Sequence, residues 1–238
     1  MKLALIGYGK MGKEIAEMAT SLGHEIACIF DVDNIDSLKN LKPSAVDVAI
    51  EFTRPDTAPV NIKTCIDAGI PVVCGSTGWH HQLDEIETYC QEKNGCLFYA
   101  SNFSIGMNIF FEINKKLAKL MEGSDGYNAR IEETHHIHKL DQPSGTAVVL
   151  ANQLVGNNKH FVKWVLNNSQ DISDLPVYSF RKGEVTGDHK IMWESNCDTI
   201  EISHSAKNRK GFAIGAIRAA AFIAGKTGIY QMKDLLNI

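Results

Sequence analysis

The chain has 238 residues, 44% hydrophobic and 22% charged, with a formal net charge of -4. That length buries a real core in one large domain or two modest ones. The charge gives no reason to expect a nucleic-acid or membrane-surface partner, and no apolar run approaches the roughly 20 residues that cross a bilayer. Met1–Gly7 is too short for a signal peptide and reads as a first strand. Cys28, Cys65, Cys74, Cys90, Cys96 and Cys197 contain no CxxC pair, and several sit inside apolar runs. Buried free thiols in a reducing, cytoplasmic compartment are expected.

The first hundred residues alternate strand and helix signals. Strands are expected at Leu3–Ile6, Glu25–Phe30, Val46–Phe52, Ile70–Cys74 and Leu97–Ala100, and helices at Met11–Leu22, Thr57–Ala68 and His81–Glu92. Such alternation implies a parallel sheet with right-handed crossovers. A long helix follows at Ile105–Met121, then a strand at Ala129–His135 and a helix at Gly145–Val155. Strand-like runs come next, at Phe161–Leu166, Val177–Lys182, Lys190–Glu194 and Thr199–Ser203. The last two are separated by the turn signal Asn196-Cys197-Asp198. Strands without intervening helices imply an open mixed sheet. The fold class is therefore α/β: a Rossmann-like parallel-sheet domain over 1–104, plus a smaller α+β domain over 105–211. The apolar helix Phe212–Ala224 could close either one.

Gly7-Tyr8-Gly9-Lys10-Met11-Gly12 follows a strand and opens a helix. The first glycine permits a tight turn, the second lets backbone approach a pyrophosphate, and the third allows strand–helix packing. Asp31 ends the second strand, placed to accept a hydrogen bond from a ribose hydroxyl. The residues after it, Val32, Asp33 and Asn34, include no arginine to clamp a 2′-phosphate, which leans toward NADH over NADPH. Two loops follow later strands, Gly75-Ser76-Thr77-Gly78 and Ala100-Ser101-Asn102-Phe103. Both are expected at the carboxyl end of the sheet, where the nicotinamide half of a dinucleotide would lie.

The densest chemistry runs from Glu132 to Ala147. His135, His136, His138 and Lys139 precede the helix start Ser144-Gly145-Thr146. A helix N-terminus with hydroxyls beside a lysine receives a carboxylate or phosphate, and histidine can deliver a proton near neutral pH. No cysteine or carboxylate stands at familiar zinc spacing, so no metal is expected.

At this segment the chain resembles the 4-hydroxy-tetrahydrodipicolinate reductase (dihydrodipicolinate reductase) family. The resemblance rests on a signature of the form E-x-H-H-x-x-K-x-D-x-P-S-G-T-A, met at Glu133, His135, His136, Lys139, Asp141, Pro143, Ser144, Gly145, Thr146 and Ala147. Similar stretches stand at Gly7–Gly12, Glu51–Pro55, Gly75–Gly78, Asn102–Ser104 and His204–Ala216. The resemblance implies reduction of a cyclic dicarboxylate by NADH or NADPH in lysine and diaminopimelate synthesis. It implies His135 as proton donor with Lys139 assisting, and His136, Ser144, Gly145 and Thr146 as substrate-binding residues. Gly7–Gly12, Asp31, Gly75–Thr77 and Ala100–Phe103 would bind the dinucleotide. A homotetramer built through the second sheet is implied, as is a C-terminal segment, 212–238, that returns to the nucleotide domain. Departures fall at Lys10, where an arginine is common, at Ser76, where a threonine is common, and at Val32. The stretch between Asp31 and Val46 is also short. Another two-domain NAD(P) oxidoreductase, such as an amino-acid dehydrogenase, and a non-catalytic NADH-binding module are the competing readings.

Overall fold

The computed structural model describes all 238 residues. The chain divides into two compact units, one comprising Met1–Ile105 with Arg209–Ile238, the other Gly106–Asn208.

The first unit is a six-stranded parallel sheet with helices on both faces. Its strands are β1 (Lys2–Ile6), β2 (Glu25–Phe30), β3 (Val48–Glu51), β4 (Val72–Cys74), β5 (Cys96–Tyr99) and β11 (Gly228–Tyr230), in the order β11-β5-β4-β3-β1-β2. Strand side chains alternate between faces, so each central strand feeds two cores. Leu3 and Leu5 of β1, with Val48, Ile50, Val73 and Phe98, pack on one side under helices α1 (Lys10–Ser21) and α6 (Lys210–Ile223). Ala4 and Ile6, with Ala49, Val72 and Leu97, pack on the other under α2 (Ala58–Asp67) and α3 (Leu83–Glu92). This is why β1 and β3 read as mostly apolar runs.

The C-terminal apolar helix, α6, thus belongs to the first unit. Its small residues have a steric cause: a Cβ at Gly215 would stand 1.8 Å from the carbonyl oxygen of Phe103. Two elements at the end of the chain lie outside the sequence expectation, β11 and the short helix α7 (Met232–Leu236). A three-residue strand has no readable periodicity; Gly228–Tyr230 becomes a strand by pairing in parallel with Cys96–Phe98.

The second unit is a five-stranded mixed sheet, β10-β9-β6-β8-β7, from β6 (Asn128–His135), β7 (Lys163–Leu166), β8 (Asp174–Arg181), β9 (Asp188–Glu194) and β10 (Thr199–Ser205). β6 pairs in parallel with β8 and antiparallel with β9. Helices α4 (Ile105–Leu120) and α5 (Gly145–Asn157) contribute Met107, Phe110, Ala118, Leu150, Ala151 and Leu154 to a core shared with Ile131, Leu175, Val177, Ile191 and Trp193 of the sheet. The β9–β10 turn closes through Ser195 N–H to the carbonyl of Asp198, 3.0 Å. β8 begins at Asp174, three residues before the apolar run that signals it, because Asp174–Val177 pair with Lys163–Leu166.

Candidate active site

In the first unit the order of the parallel strands reverses at β1, which lies between β2 and β3. Ligands of open α/β sheets bind beyond the carboxyl ends of the strands at such a point. The three glycines of the first loop have different reasons to be glycine. Gly7 has φ +92°, and a Cβ there would lie 2.3 Å from the carbonyl oxygen of Phe52. A Cβ at Gly12 would lie 2.2 Å from the carbonyl oxygen of Gly7. Gly9 faces open space, with nothing within 4 Å of its Cβ position. Gly9 is also the N-cap of α1, with no side-chain cap and no acidic residue in the first turn. The N–H groups at this helix start are thus left for an anion to satisfy.

The other expected nucleotide residues sit around the same loop ends. Tyr8 and Met11 lean on the core beside α6, whereas Lys10 is exposed. Asp31 is exposed just past β2; its N–H bonds the Asn34 side chain at 2.7 Å. Gly75 N–H bonds the Glu51 carbonyl at 2.9 Å, and a Cβ at Gly75 would strike the Phe52 ring at 2.1 Å. Ser76 is buried, its carbonyl taken by the indole N–H of Trp79 at 2.8 Å, while Thr77 is exposed. Ala100 N–H bonds the Cys74 carbonyl at 3.2 Å; Ser101 is exposed, and Asn102 Oδ1 accepts Ser104 N–H at 2.9 Å. Phe103 differs from the rest: its ring is buried in the core, 5.7 Å from the Phe52 ring and 5.8 Å from that of Phe98.

Phe52 therefore touches the first loop through its carbonyl and the second through its ring. Its motif, Glu51–Pro55, carries part of the family resemblance, and no site role for Phe52 is legible in sequence. Beneath it, the fully buried Glu51 carboxylate accepts Thr53 N–H at 3.0 Å, the Thr53 hydroxyl, and the Cys74 thiol at 3.1 Å.

In the second unit, β6 alternates so that Ala129, Ile131, Glu133 and His135 are all buried on one face. The apolar pair is core; the last two are buried polar groups. His135 Nδ1 donates to Glu133 Oε2. Glu133 Oε1 accepts Ser144 N–H at 3.2 Å and an Arg181 Nη1 hydrogen at 3.1 Å. Burial pushes the Glu133 carboxyl up, but hydrogen bonds from His135 and Arg181 outweigh it and hold the group down at about 2. A Cβ at Gly187 would lie 3.0 Å from His135 Nε2, so glycine there keeps that edge of the ring clear.

The His135 ring also stands edge-on to His189, with centroids 5.2 Å apart. His189 is buried, and burial followed by the nearby His135 lowers its pKa to about 4, so it is neutral at physiological pH. Its Nε2 lies 3.3 Å from the Ser144 hydroxyl, which caps α5 by accepting Ala147 N–H at 3.2 Å. The first turn of α5 has no acidic residue, and nothing stands within 4 Å of a Cβ at Gly145. Thr146 is half-buried beside it. Lys139 Nζ pairs with Asp141 Oδ1 at 2.8 Å. Arg181 ties this loop to β8, reaching the Lys139 carbonyl at 3.2 Å and the Asp141 carbonyl at 2.5 Å. His136 lies past the end of β6 and is half-buried, its ring 6.1 Å from His138.

The structure thus brings together His135, Lys139, Ser144, Gly145 and Thr146. It adds Glu133, Arg181, Gly187 and His189, to which sequence reasoning gave no role. Glu133 stood in the quoted signature. Arg181 and His189 are 46 and 54 positions beyond His135, and only strand pairing places them: Arg181 sits opposite His135, and His189 opposite Glu133. The ligand-type atoms of Glu133, His135 and His189 lie within 4.8 Å of one another. Both Glu133 oxygens are already engaged by N–H donors, one of them cationic, which fits a hydrogen-bonded acid–base centre better than a cation site.

A Rossmann-type sheet with an uncapped glycine turn in one unit, and a histidine–carboxylate pair at a helix start in the other, define a two-domain nicotinamide-nucleotide oxidoreductase. Comparison with known proteins narrows the class. Residues 1–103 match the model for the N-terminus of dihydrodipicolinate reductase, and residues 106–236 match the model for its C-terminus. The 4-hydroxy-tetrahydrodipicolinate reductase of Christiangramia forsetii is 44% identical over 237 residues, covering 100% of this chain and 98% of that one. The enzyme of the same name from Neisseria meningitidis serogroup B is 34% identical over 199 residues, covering 81% of this chain and 73% of that one. In fold, the chain is similar to a dipicolinate-bound dihydrodipicolinate reductase from Paenisporosarcina, with a TM-score of 0.78 at 20% identity and 97% of each chain covered. The chain belongs to the dihydrodipicolinate reductase family, whose members are NAD(P)H-dependent oxidoreductases.

Proposed function

We propose that this enzyme reduces 4-hydroxy-tetrahydrodipicolinate to tetrahydrodipicolinate, with His135 as the proton donor. The single observation that carries the assignment is the His135 imidazole, bonded at Nδ1 to the buried Glu133 carboxylate and left clear at Nε2 by Gly187. A histidine held this way presents one nitrogen to a reacting group and keeps an anion behind the ring for its charged form. The substrate's carboxylates are received by the start of α5, through Gly145 and Thr146 N–H groups under the Ser144 cap, with His136 and Lys139 beside them. Lys139 exchanges its present partner Asp141 for a carboxylate of the substrate.

The reduced nicotinamide supplies the hydride when bound. The chain's part is to hold the dinucleotide at Gly7–Gly12, Asp31, Gly75–Thr77 and Ala100–Phe103, and to align and protonate the ring. The open Gly9 position and the uncapped start of α1 fit a pyrophosphate. Asp31 with Val32 after it favours NADH, since an acid accepts from a 2′-hydroxyl and repels a 2′-phosphate. Residues 105–211 would carry substrate binding and the assembly contacts of a homotetramer, and 212–238 would complete the dinucleotide-binding domain. Unpaired cysteines throughout fit a cytoplasmic enzyme, and no helix is long and apolar enough to cross a membrane.

The deciding experiment follows NADH and NADPH oxidation at 340 nm, with substrate made in situ by the preceding synthase from pyruvate and aspartate semialdehyde. Oxidation that depends on the synthase establishes the reaction. A folded enzyme that binds NADH yet oxidises neither cofactor refutes it.

A further inference from the structure

We propose that Glu133 is a positioning residue: its one carboxylate ties the orientation and tautomer of the His135 imidazole to the helix start that receives the substrate's anionic groups. Because residues two apart on a strand share a face, β6 sets the Glu133 and His135 side chains next to each other. Oε2 takes the His135 Nδ1 proton. Oε1 takes Ser144 N–H at 3.2 Å, at the cap of α5, and Arg181 Nη1 at 3.1 Å. Arg181 in turn holds the carbonyls of Lys139 and Asp141, at 3.2 and 2.5 Å. The proton donor, the lysine segment and the anion-receiving helix start are therefore braced on one buried group and its arginine. The charged and titratable groups facing His135 are Glu133, the Arg181 guanidinium behind it, and the neutral His189 ring edge-on at 5.2 Å.

The two oxygens do different work, and this makes the idea separable from a merely structural role. Both partners of Oε1 are donors. In Glu133→Gln the amide oxygen keeps those two bonds, and the NH2 group then faces Nδ1. The neutral ring must accept at Nδ1 and carry its proton on Nε2, and no anion remains to stabilise the imidazolium. The substrate cradle is preserved while the donor is set in the wrong state. A buried carboxylate serving only to brace the fold would predict the reverse: lost stability and weaker substrate binding, with chemistry affected no more than binding.

The inference rests on the proposed reaction for its kinetic arm, but its geometric arm stands apart. Glu133→Gln is expected to lower kcat by roughly 10²–10⁴-fold, the range for mis-set acid–base histidines, with KM for the dicarboxylate within about threefold of the unaltered enzyme. Glu133→Asp, which keeps the charge on a shorter arm, should regain at least about tenfold of that loss. Proton NMR supplies the second readout. The Nδ1 proton bonded to a carboxylate resonates far downfield, and this signal should vanish both in Glu133→Gln and in His135→Gln. A Glu133→Gln enzyme with near-normal kcat overturns the proposal, as does one whose kcat falls and KM rises by comparable factors while the downfield signal persists. If Glu133→Gln does not fold, the unaltered enzyme decides: absence of a downfield signal sensitive to His135→Gln overturns the tie. An unaltered enzyme that shows the signal but turns over no substrate supports the tie and refutes the reaction instead.

Discussion

The two helix starts proposed to receive anions are built by opposite means. At α1 the chain removes side chains: Gly9 faces empty space, there is no cap, and no acid occupies the first turn. At α5 it adds them: Ser144 caps the helix, and Glu133, Arg181, His189 and Lys139 crowd its approach. A dinucleotide pyrophosphate is a fixed, doubly charged group that needs only backbone N–H donors and room, which glycine supplies. A substrate that must also gain a proton needs a titratable group held at a set point, and backbone cannot provide one. The first site tolerates no bulk; the second tolerates no change of charge.

Substitutions sharpen that contrast, the largest effect first. His135→Gln should lower kcat by roughly 10²–10⁴-fold with little change in KM, read by cofactor oxidation at 340 nm; a wild-type kcat would remove His135 as the donor. Gly12→Ala places a methyl 2.2 Å from the Gly7 carbonyl oxygen, so it should cost about 1–3 kcal/mol of stability and lower the melting temperature. Gly9→Ala is its control. With no neighbour to strike, it should melt as the parent does yet bind NADH about tenfold more weakly, some 1.4 kcal/mol, by titration calorimetry. Equal melting losses for both alanines would erase the distinction between packing glycine and approach glycine.

Smaller effects follow from charge. Lys139→Ala should raise KM for the dicarboxylate and lower kcat together, each by about tenfold, if the lysine serves binding and the ring's protonation alike, as proposed.

His189 adds a pH dependence. Its folded pKa of about 4 lies below the usual 6.5, so the unfolded chain binds the extra proton between those values. Stability is therefore full above about pH 6.5 and declines as pH falls toward 4. Denaturant midpoints for His189→Asn should flatten across that window; an unchanged slope would assign the acid sensitivity elsewhere. The smallest effect expected is at Asp31. Asp31→Ser should shift the NADPH-to-NADH ratio of kcat/KM upward by a few-fold, since one exposed acid is screened by solvent.

Much of this was readable in one dimension. Alternating apolar strands and amphipathic helices announced the first unit because every central strand there is buried on both faces. The starts of α1 and α5, proposed here to receive anions, were equally plain, since each is local: Gly7–Gly12 and Ser144–Thr146 are contiguous in the chain, and their spacing alone states which backbone N–H groups open the helices. His135 and Lys139 stood out for the same reason.

What the tertiary structure alone decided are the pairings of residues far apart in sequence. The strand β11 exists because β5 offers an edge, not because Gly228–Tyr230 has a pattern. The Phe103 side chain packs into the core, and its carbonyl oxygen stands so near α6 that Gly215 has no room for a Cβ. Phe52 joins the first two nucleotide loops only once β1, β3 and β4 lie side by side. Arg181 and His189 reach Glu133 and the α5 start through parallel and antiparallel registers that no local propensity encodes. Local sequence determines backbone conformation and charge, residue by residue, whereas sheet register is settled by the whole buried surface at once. The proposed proton donor depends on both: the histidine is legible, but the carboxylate, arginine and glycine around it are assembled by the fold.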